Sequence, residues 1–156
     1  MQTTLVAVGK RMPAWVTAGV AEYSKRLPPE FKLNIKEIQP AKRGKSQNTA
    51  TLLADEAVRI RKAVPNDAHI IVLDEHGKLF STKGLSDKMK DWAQTSQAVT
   101  FIIGGADGTD PTLKNSADEI LSLSKLTLPH SLARLLFVEQ YYRAWTILSN
   151  HPYHRE

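Results

Sequence analysis

The groups best suited to chemistry crowd the end of the chain, where His151, Pro152, Tyr153, His154, Arg155 and Glu156 follow one another directly. Chain termini are usually frayed and solvated. This one is dense in titratable and hydrogen-bonding side chains and follows a strongly apolar segment, Leu132 to Leu148. Such a tail has two uses: it binds a polar ligand, or it completes the site of a neighbour. His151 and His154 stand three apart, but Pro152 breaks helical geometry between them and no third ligand is near in sequence, so no metal is expected. Glu139 and Arg143, four apart in the favourable order, read as a surface ion pair worth a few tenths of a kcal/mol.

Two further segments carry the means to hold a ligand. Ile103-Gly104-Gly105-Ala106-Asp107-Gly108 is a glycine-rich turn at the end of an apolar run. Adjacent glycines permit positive φ and let a flat ligand approach the backbone; an ordinary turn has the same composition. The run Leu121 to Pro129 interleaves leucines with Ser122, Ser124 and Thr127. An apolar loop is costly on a surface unless its leucines close around something while its amides bond a ligand such as adenine. An edge strand followed by a helix cap reads the same way.

The usual nucleotide motifs are missing. No Gly-x-Gly-x-x-Gly follows the first strand, and no complete Walker-type phosphate loop occurs, which disfavours the common forms of NAD and ATP chemistry. Without a Gly-x-Ser-x-Gly elbow, a hydrolase has little support. The cations are placed more tellingly. Lys10-Arg11 and the stretch Lys42-Arg43-Gly44-Lys45 fall in predicted loops, where they can reach phosphates. Solvated loops without a partner fit the charge equally well.

The elements that must position these groups alternate strictly. Thr4 to Val8 is a short apolar strand. Phe31, Leu33 and Ile35 alternate with polar residues, as in a half-buried strand. Ile70 to Leu73 and Val99 to Ile103 are continuous apolar runs, expected of central parallel strands; Ile120 to Leu123 is a fifth candidate. Helices are predicted over Trp15–Leu27, from a Ser46 or Asn48 cap to about Val64, from Ser81 or Thr82 through Trp92, from Asp110-Pro111 to Glu119, and from about Ser131 to Ser149. The order is that of a single α/β domain over 1–156: a mostly parallel sheet with helices on both faces. Ligands in such sheets bind beyond the carboxyl ends of the strands. Leu73-Asp74-Glu75, Gly104-Gly105 and Leu123-Ser124 all follow strand ends and so face one edge.

Bulk composition sets the outer bounds. At 156 residues the chain can bury a real core. It has no cysteine, which removes disulfides, a thiol nucleophile and cysteine-based zinc. Its net charge of +5 favours an anionic partner. The first residues read as a strand rather than a signal peptide, and no apolar run approaches the roughly 20 residues of a membrane span. A cytoplasmic protein is the expectation.

Taken together, Val6-Ala-Val-Gly9, Lys42-Arg43-Gly44-Lys45, Ile103-Gly104-Gly105, Leu123-Ser-Lys-Leu-Thr-Leu-Pro-His130, Tyr142-Arg-Ala-Trp145 and Asn150-His-Pro-Tyr-His154 resemble the RlmH family. These are small bacterial SPOUT-class methyltransferases. The resemblance runs from Val6 to the C-terminus and implies the α/β-knot fold, with a C-terminal segment threaded into a trefoil knot. It implies a homodimer that uses S-adenosylmethionine to methylate N3 of a pseudouridine in helix 69 of 23S ribosomal RNA, on the assembled ribosome. Position by position, the cofactor falls on Leu73, Gly104, Gly105, Leu123, Ser124, Lys125, Leu126, Thr127 and Leu128. Arg143, Tyr153 and His154 match polar residues near the reaction centre, and Lys42, Arg43 and Lys45 are the expected phosphate contacts. The turn after Gly105 departs from the family pattern: it is Ala106-Asp107-Gly108, where many relatives carry Pro-Glu-Gly.

Methyl transfer from a sulfonium is a direct displacement that needs no metal and no covalent enzyme nucleophile. It does need an in-line approach of the acceptor. N3 of a uracil-like ring is a poor nucleophile while protonated, so a base or a cation must assist. His154 could take the proton, and Arg143 could stabilise the developing charge or hold a phosphate. Two other readings stay open. A non-catalytic ribosome- or RNA-binding α/β module explains the basic loops but not the leucine-rich loop or the polar tail. A small-molecule enzyme with a nucleotide-like cofactor leaves Lys42-Arg43-Gly44-Lys45 without a purpose.

Overall fold

Every side chain of β1 (Thr3–Val8) and β4 (Val99–Ile103) is buried, as uninterrupted apolar runs require of strands covered on both faces. The computed structural model describes residues 1–44 and 47–155. Five parallel strands form one sheet in the order β2 (Leu33–Ile38), β1, β4, β3 (His69–Leu79), β5 (Glu119–Ser122). Helices α1 (Ala14–Ser24), α2 (Thr49–Ala63), α3 (Thr82–Thr95) and α4 (Pro111–Asn115) follow β1 to β4 in turn, and α5 (His130–Leu148) follows β5. Since all the strands run the same way, their carboxyl ends share one edge.

Helices cover both faces of this sheet. Leu5, Ile71 and Phe101 pack with Leu85 and Met89 of α3 and Phe137 and Tyr141 of α5. Val6, Val72 and Ile102 point the other way, to Ala57 and Ile60 of α2 and Leu113 of α4. The split between Leu5 and Val6, or Phe101 and Ile102, is the two-residue period of a strand. α5 is the most interior helix: Phe137 meets Phe101 at a ring separation of 4.5 Å, and the Tyr141 hydroxyl donates to Thr3 Oγ1 at 3.0 Å in the buried core. That bond satisfies two buried polar groups at once, while burial pushes the Tyr141 phenol pKa up.

Several boundaries differ from expectation for local reasons. Phe31 is not in β2; it closes a short 3-10 turn after Pro28, its N–H donating to Pro28 O at 3.0 Å. α1 ends at Ser24, before Leu27. α4 stops at Asn115, well short of Glu119, because the Ser116 hydroxyl bonds Leu113 O and Asp118 accepts from Ile70 N at 2.7 Å, which draws the chain alongside β3. Asn48 caps α2 by accepting from Thr51 N at 2.8 Å; Ser46, the other candidate, lies outside the described residues. Ser81 caps α3 through Gly84 N.

β3 departs most usefully. It does not end at Leu73. Leu73 and Lys78 both pair with Leu121, so the residues between them bulge out of the ladder before the strand resumes. Gly77 makes the return feasible: a Cβ there would lie 2.6 Å from the Leu121 carbonyl carbon. The bulge carries Asp74 and Glu75 beyond the sheet edge, where the site lies.

Candidate functional site

A cleft of about 580 Å³ opens at the carboxyl edge. Leu73 and the β3 bulge form one side, the Gly104–Thr109 turn another, and the loop from Leu123 to Pro129 closes the third, with His130 and Ala133 of α5 beneath. Leu73, Gly104, Gly105, Leu123 and Ser124, which follow strand ends, line it, as do Leu126, Thr127 and Leu128, which the resemblance adds. Lys125 is exposed and is not among the lining residues.

The glycine turn works differently from the expectation. Positive φ occurs at Gly108 (+84°), not at Gly104 or Gly105. Gly104 is required because a Cβ there would collide with the Gly108 backbone and Thr109 Oγ1, while at Gly105 it would press Val8 Cγ1 at 3.0 Å. The turn is thus folded tightly on itself, with Gly108 N donating to Gly105 O at 3.0 Å, and presents backbone to the cleft.

The leucine-rich loop is braced by its own hydroxyls. Ser124 Oγ accepts from Leu126 N at 2.8 Å, and the Ser122 hydroxyl donates to Ser124 O at 2.8 Å. Its Leu126 side chain is 74% exposed. Thr127 Oγ1 donates to Glu75 Oε2 at 2.9 Å, joining the loop to the β3 bulge across the lip of the cleft. Asp74, adjacent, faces Lys114 at 3.5 Å.

Positive charge sits on the same edge. Lys10 and Arg11 follow β1; Lys42 and Arg43 follow β2; all four are exposed. Arg43 forms an ion pair with Asp107 of the glycine turn, and both line a small recess of about 120 Å³ that shares Gly105, Ala106 and His130 with the main cleft. Lys45 lies outside the described residues. Beneath this region the buried Arg134 donates to Glu37 Oε2 at 2.7 Å and to Gly9 O at 3.0 Å, tying the ends of β1 and β2 to α5.

Arg143 and Tyr153 are brought together, with His154 next to Tyr153 in the chain, but not at this cleft. They lie towards the far end of α5, and none lines the cleft. Thirteen residues of helix separate His130 from Arg143, about 20 Å at 1.5 Å per residue. Asn150 takes a left-handed conformation (φ +55°) just beyond the helix, and Tyr153 N donates to His151 Nδ1 at 3.1 Å, folding the tail back. The Tyr153 ring packs 4.7 Å from Tyr142 and edge-on to Tyr23, with the Arg143 guanidinium over it at 4.9 Å. Burial, then the hydroxyls and carboxylate around it, push the Tyr153 phenol pKa up. Hydrogen bonding to Glu139 raises that of Arg143. His154 Nδ1 is buried without a hydrogen-bond partner.

Two residues have a larger part in the structure than their spacing in the sequence suggests. Glu139, whose spacing from Arg143 suggests only a surface pair, also accepts from the Tyr153 hydroxyl at 2.9 Å. His130 lines the cleft as well; its place directly after Leu128-Pro129, at the head of α5, is the sequence signal for it. Among the described residues no cluster of three or more His, Asp or Glu is arranged to hold a metal, and no helix is long and apolar enough to cross a membrane.

Comparison with known proteins agrees with this architecture. The family described as "Predicted SPOUT methyltransferase" matches residues 1–154. Proteins named "Ribosomal RNA large subunit methyltransferase H" are similar over 99% of this chain and 99% of their own length: 48% identical in Herminiimonas arsenicoxydans, 48% in Ralstonia pickettii (strain 12J) and 49% in Ralstonia nicotianae (strain ATCC BAA-1114 / GMI1000). With an all-parallel sheet, a strand-end cleft and full-length likeness in agreement, the chain belongs to the SPOUT methyltransferase family, among the large-subunit ribosomal RNA methyltransferase H proteins.

Proposed function

We propose that the protein is a homodimeric methyltransferase that uses S-adenosylmethionine to methylate N3 of a pseudouridine in helix 69 of 23S ribosomal RNA, on the assembled ribosome in the cytoplasm. The observation that carries the reading is the separation just described. One chain holds a cofactor-sized cleft, and its polar tail lies at the opposite end of a helix about 20 Å away. A second copy supplies the tail that the first cleft lacks. Exposed apolar side chains support such a face: Trp15 is 58% exposed and Leu132 38%, besides Leu126 at the cleft lip. A threaded C-terminal segment is part of the same proposal.

The residues present fit the cofactor. The volume is within the range of small-molecule sites. Leu73, Leu123, Leu126 and Leu128 supply apolar walls for an adenine ring, and the Gly104–Gly105 backbone permits close approach. Asp74 and Glu75 offer carboxylates to hydroxyls or to a cationic amino end. When bound, S-adenosylmethionine supplies an electrophilic methyl group. The chain's own part is to hold the acceptor in line, exclude water and manage the proton. Arg143 stabilises negative charge on the uracil-like ring, Tyr153 and the tail position it, and His154 is the candidate proton acceptor. Lys42 and Arg43, on the same edge as the cleft, bear on RNA phosphates, and Lys45 is assigned the same role from its place in the sequence.

Mixed dimers test the reading. A protomer with a ruined cleft (Gly104→Val) and one with a ruined tail (Arg143→Ala) are each inactive as homodimers. Co-expressed and purified through two different tags, they form a mixed dimer with one intact composite site. It is expected to transfer tritiated methyl groups to ribosomes lacking the native modification. No transfer by the mixed dimer, or monomer mass by light scattering, overturns the shared site.

A further inference from the structure

Ion pairs four apart on a helix are usually solvated and contribute little. Lys83 and Asp87 on α3 are of that kind, with side chains 67% and 64% exposed and a 3.2 Å contact. Glu139 and Arg143 share the spacing and nothing else. Their side chains are 16% and 32% exposed for Glu139 and Arg143 respectively. A single oxygen, Glu139 Oε1, accepts from Arg143 Nε at 2.9 Å and Nη2 at 2.6 Å, and from the Tyr153 hydroxyl at 2.9 Å. The other oxygen accepts from Gln140 Nε2 at 2.7 Å, and Gln140 Oε1 in turn accepts from Thr82 Oγ1. The carboxylate is therefore braced against the first residue of α3 and cannot swing freely.

From this geometry we infer that Glu139 is a positioning residue for the transfer reaction: it holds the Arg143 guanidinium and the Tyr153 hydroxyl in the arrangement in which both meet the substrate. The inference rests on the reading of the tail as part of the reaction centre. Two consequences follow from hydrogen-bond capacity. The Tyr153 hydroxyl has committed its proton to Glu139, which leaves its oxygen to act only as an acceptor, suited to a ring N–H. Arg143 has spent Nε and one Nη2 hydrogen on Glu139, which leaves Nη1 for an anion. The stack of the guanidinium over the Tyr153 ring, 4.9 Å apart, follows from both being tied to one point. Glu139 itself touches neither substrate nor cofactor in this arrangement.

A double-mutant cycle tests it. Glu139→Gln keeps the size of the side chain and loses its charge; Tyr153→Phe loses the tethered hydroxyl. Steady-state methyl transfer is measured at saturating cofactor and varied ribosome concentration, with calorimetry for S-adenosylmethionine affinity and light scattering for dimer mass. Glu139→Gln is expected to lower kcat by about tenfold or more with KM for ribosomes and cofactor affinity unchanged. The double mutant is expected to be no more than about twofold slower than Tyr153→Phe, because both changes cut one linkage. A purely structural glutamate would move stability or affinity and leave kcat alone. If Glu139→Gln fails to fold, Arg143→Lys with Tyr153→Phe forms the same cycle around an intact Glu139, and non-additive losses are again expected. Wild-type kcat in Glu139→Gln beside a slow Tyr153→Phe overturns the positioning role alone. Wild-type kcat in Arg143→Ala and Tyr153→Phe overturns it together with the tail reading.

Discussion

At its N-terminal end α5 lends His130 and Ala133 to an apolar cleft walled by leucines and glycine backbone. At its other end the same helix carries Glu139, Arg143 and the returning Tyr153, packed among tyrosines and joined by charge-assisted hydrogen bonds. The first end is a leucine-lined cleft; the second is a cluster of charged and hydroxyl groups, to which the proposed function assigns the charge and the proton. The rigid helix holds His130 and Arg143 about 20 Å apart within one chain. On the proposed reading, which needs both at one place, a second copy supplies one of them, and the span of α5 is the physical reason.

The sharpest break of this comparison is at the tail. Arg143→Ala is expected to lower methyl transfer by about a hundredfold or more while cofactor affinity holds, since cations at developing charge are worth that much. Removal of Tyr153 to Glu156 should do the same. That truncation also strips a ring from the Tyr23–Tyr142–Tyr153 cluster, so a modest fall in unfolding temperature is expected with it, although a bare reading of the tail gives it few core-forming residues. Methyl transfer by the truncated protein at the wild-type rate would sink the division of labour between the two ends.

At the cleft end, Gly104→Ala is expected to abolish calorimetric binding of S-adenosylmethionine, and Gly105→Ala to weaken it less. The added Cβ meets fixed backbone at Gly104 and a movable Val8 side chain at Gly105. Equal losses would mean that the turn tolerates strain its geometry forbids.

Smaller effects are expected on the basic edge. Alanine at Lys42, Arg43 and Lys45 should flatten the salt dependence of ribosome binding by up to about three counterions. Arg43 is also paired with Asp107 in the glycine turn, so Asp107→Asn should leave the salt slope unchanged while altering cofactor affinity by a few-fold. The slope and the affinity moving together in that variant would count against separate roles.

The smallest effect lies at the opposite edge of the sheet, away from either end of the chemistry. Burial opposes the charge on Glu119, but hydrogen bonds from Lys88 and His69 outweigh it and hold its carboxyl below the ordinary value of 4.5. A depressed carboxyl stabilises the fold above its unfolded pKa and loses that contribution as pH falls through its folded value. Thermal unfolding followed downward from about pH 4.5 should therefore decline more steeply in the wild type than in Glu119→Gln. Parallel declines would show the group to be unimportant to acid stability.

Much of the fold was legible from patterns a few residues long. Alternation and apolar runs located all five strands, and cap residues such as Asn48, Ser81 and Asp110 marked helix starts, because these signals act locally. Boundaries governed by distant partners were not legible. The short α4 depends on Asp118 reaching Ile70 N, and the bulge in β3 on Gly77 passing Leu121, contacts between segments more than forty residues apart.

The site divides along the same line. That Leu73, Gly104 and the loop from Leu123 to Leu128 meet at one edge follows from strand order-independent logic: parallel strands have all their carboxyl ends together. The chain's residues alone determined that edge, its leucines, its glycines and its cations. Only the tertiary structure decided that Arg143 and Tyr153 converge on Glu139 rather than on the cleft of their own chain. A helical spacing of four states which side chains are neighbours on one helix; it carries no information about which tail folds back onto them, nor about how far a buried helix holds its two ends apart.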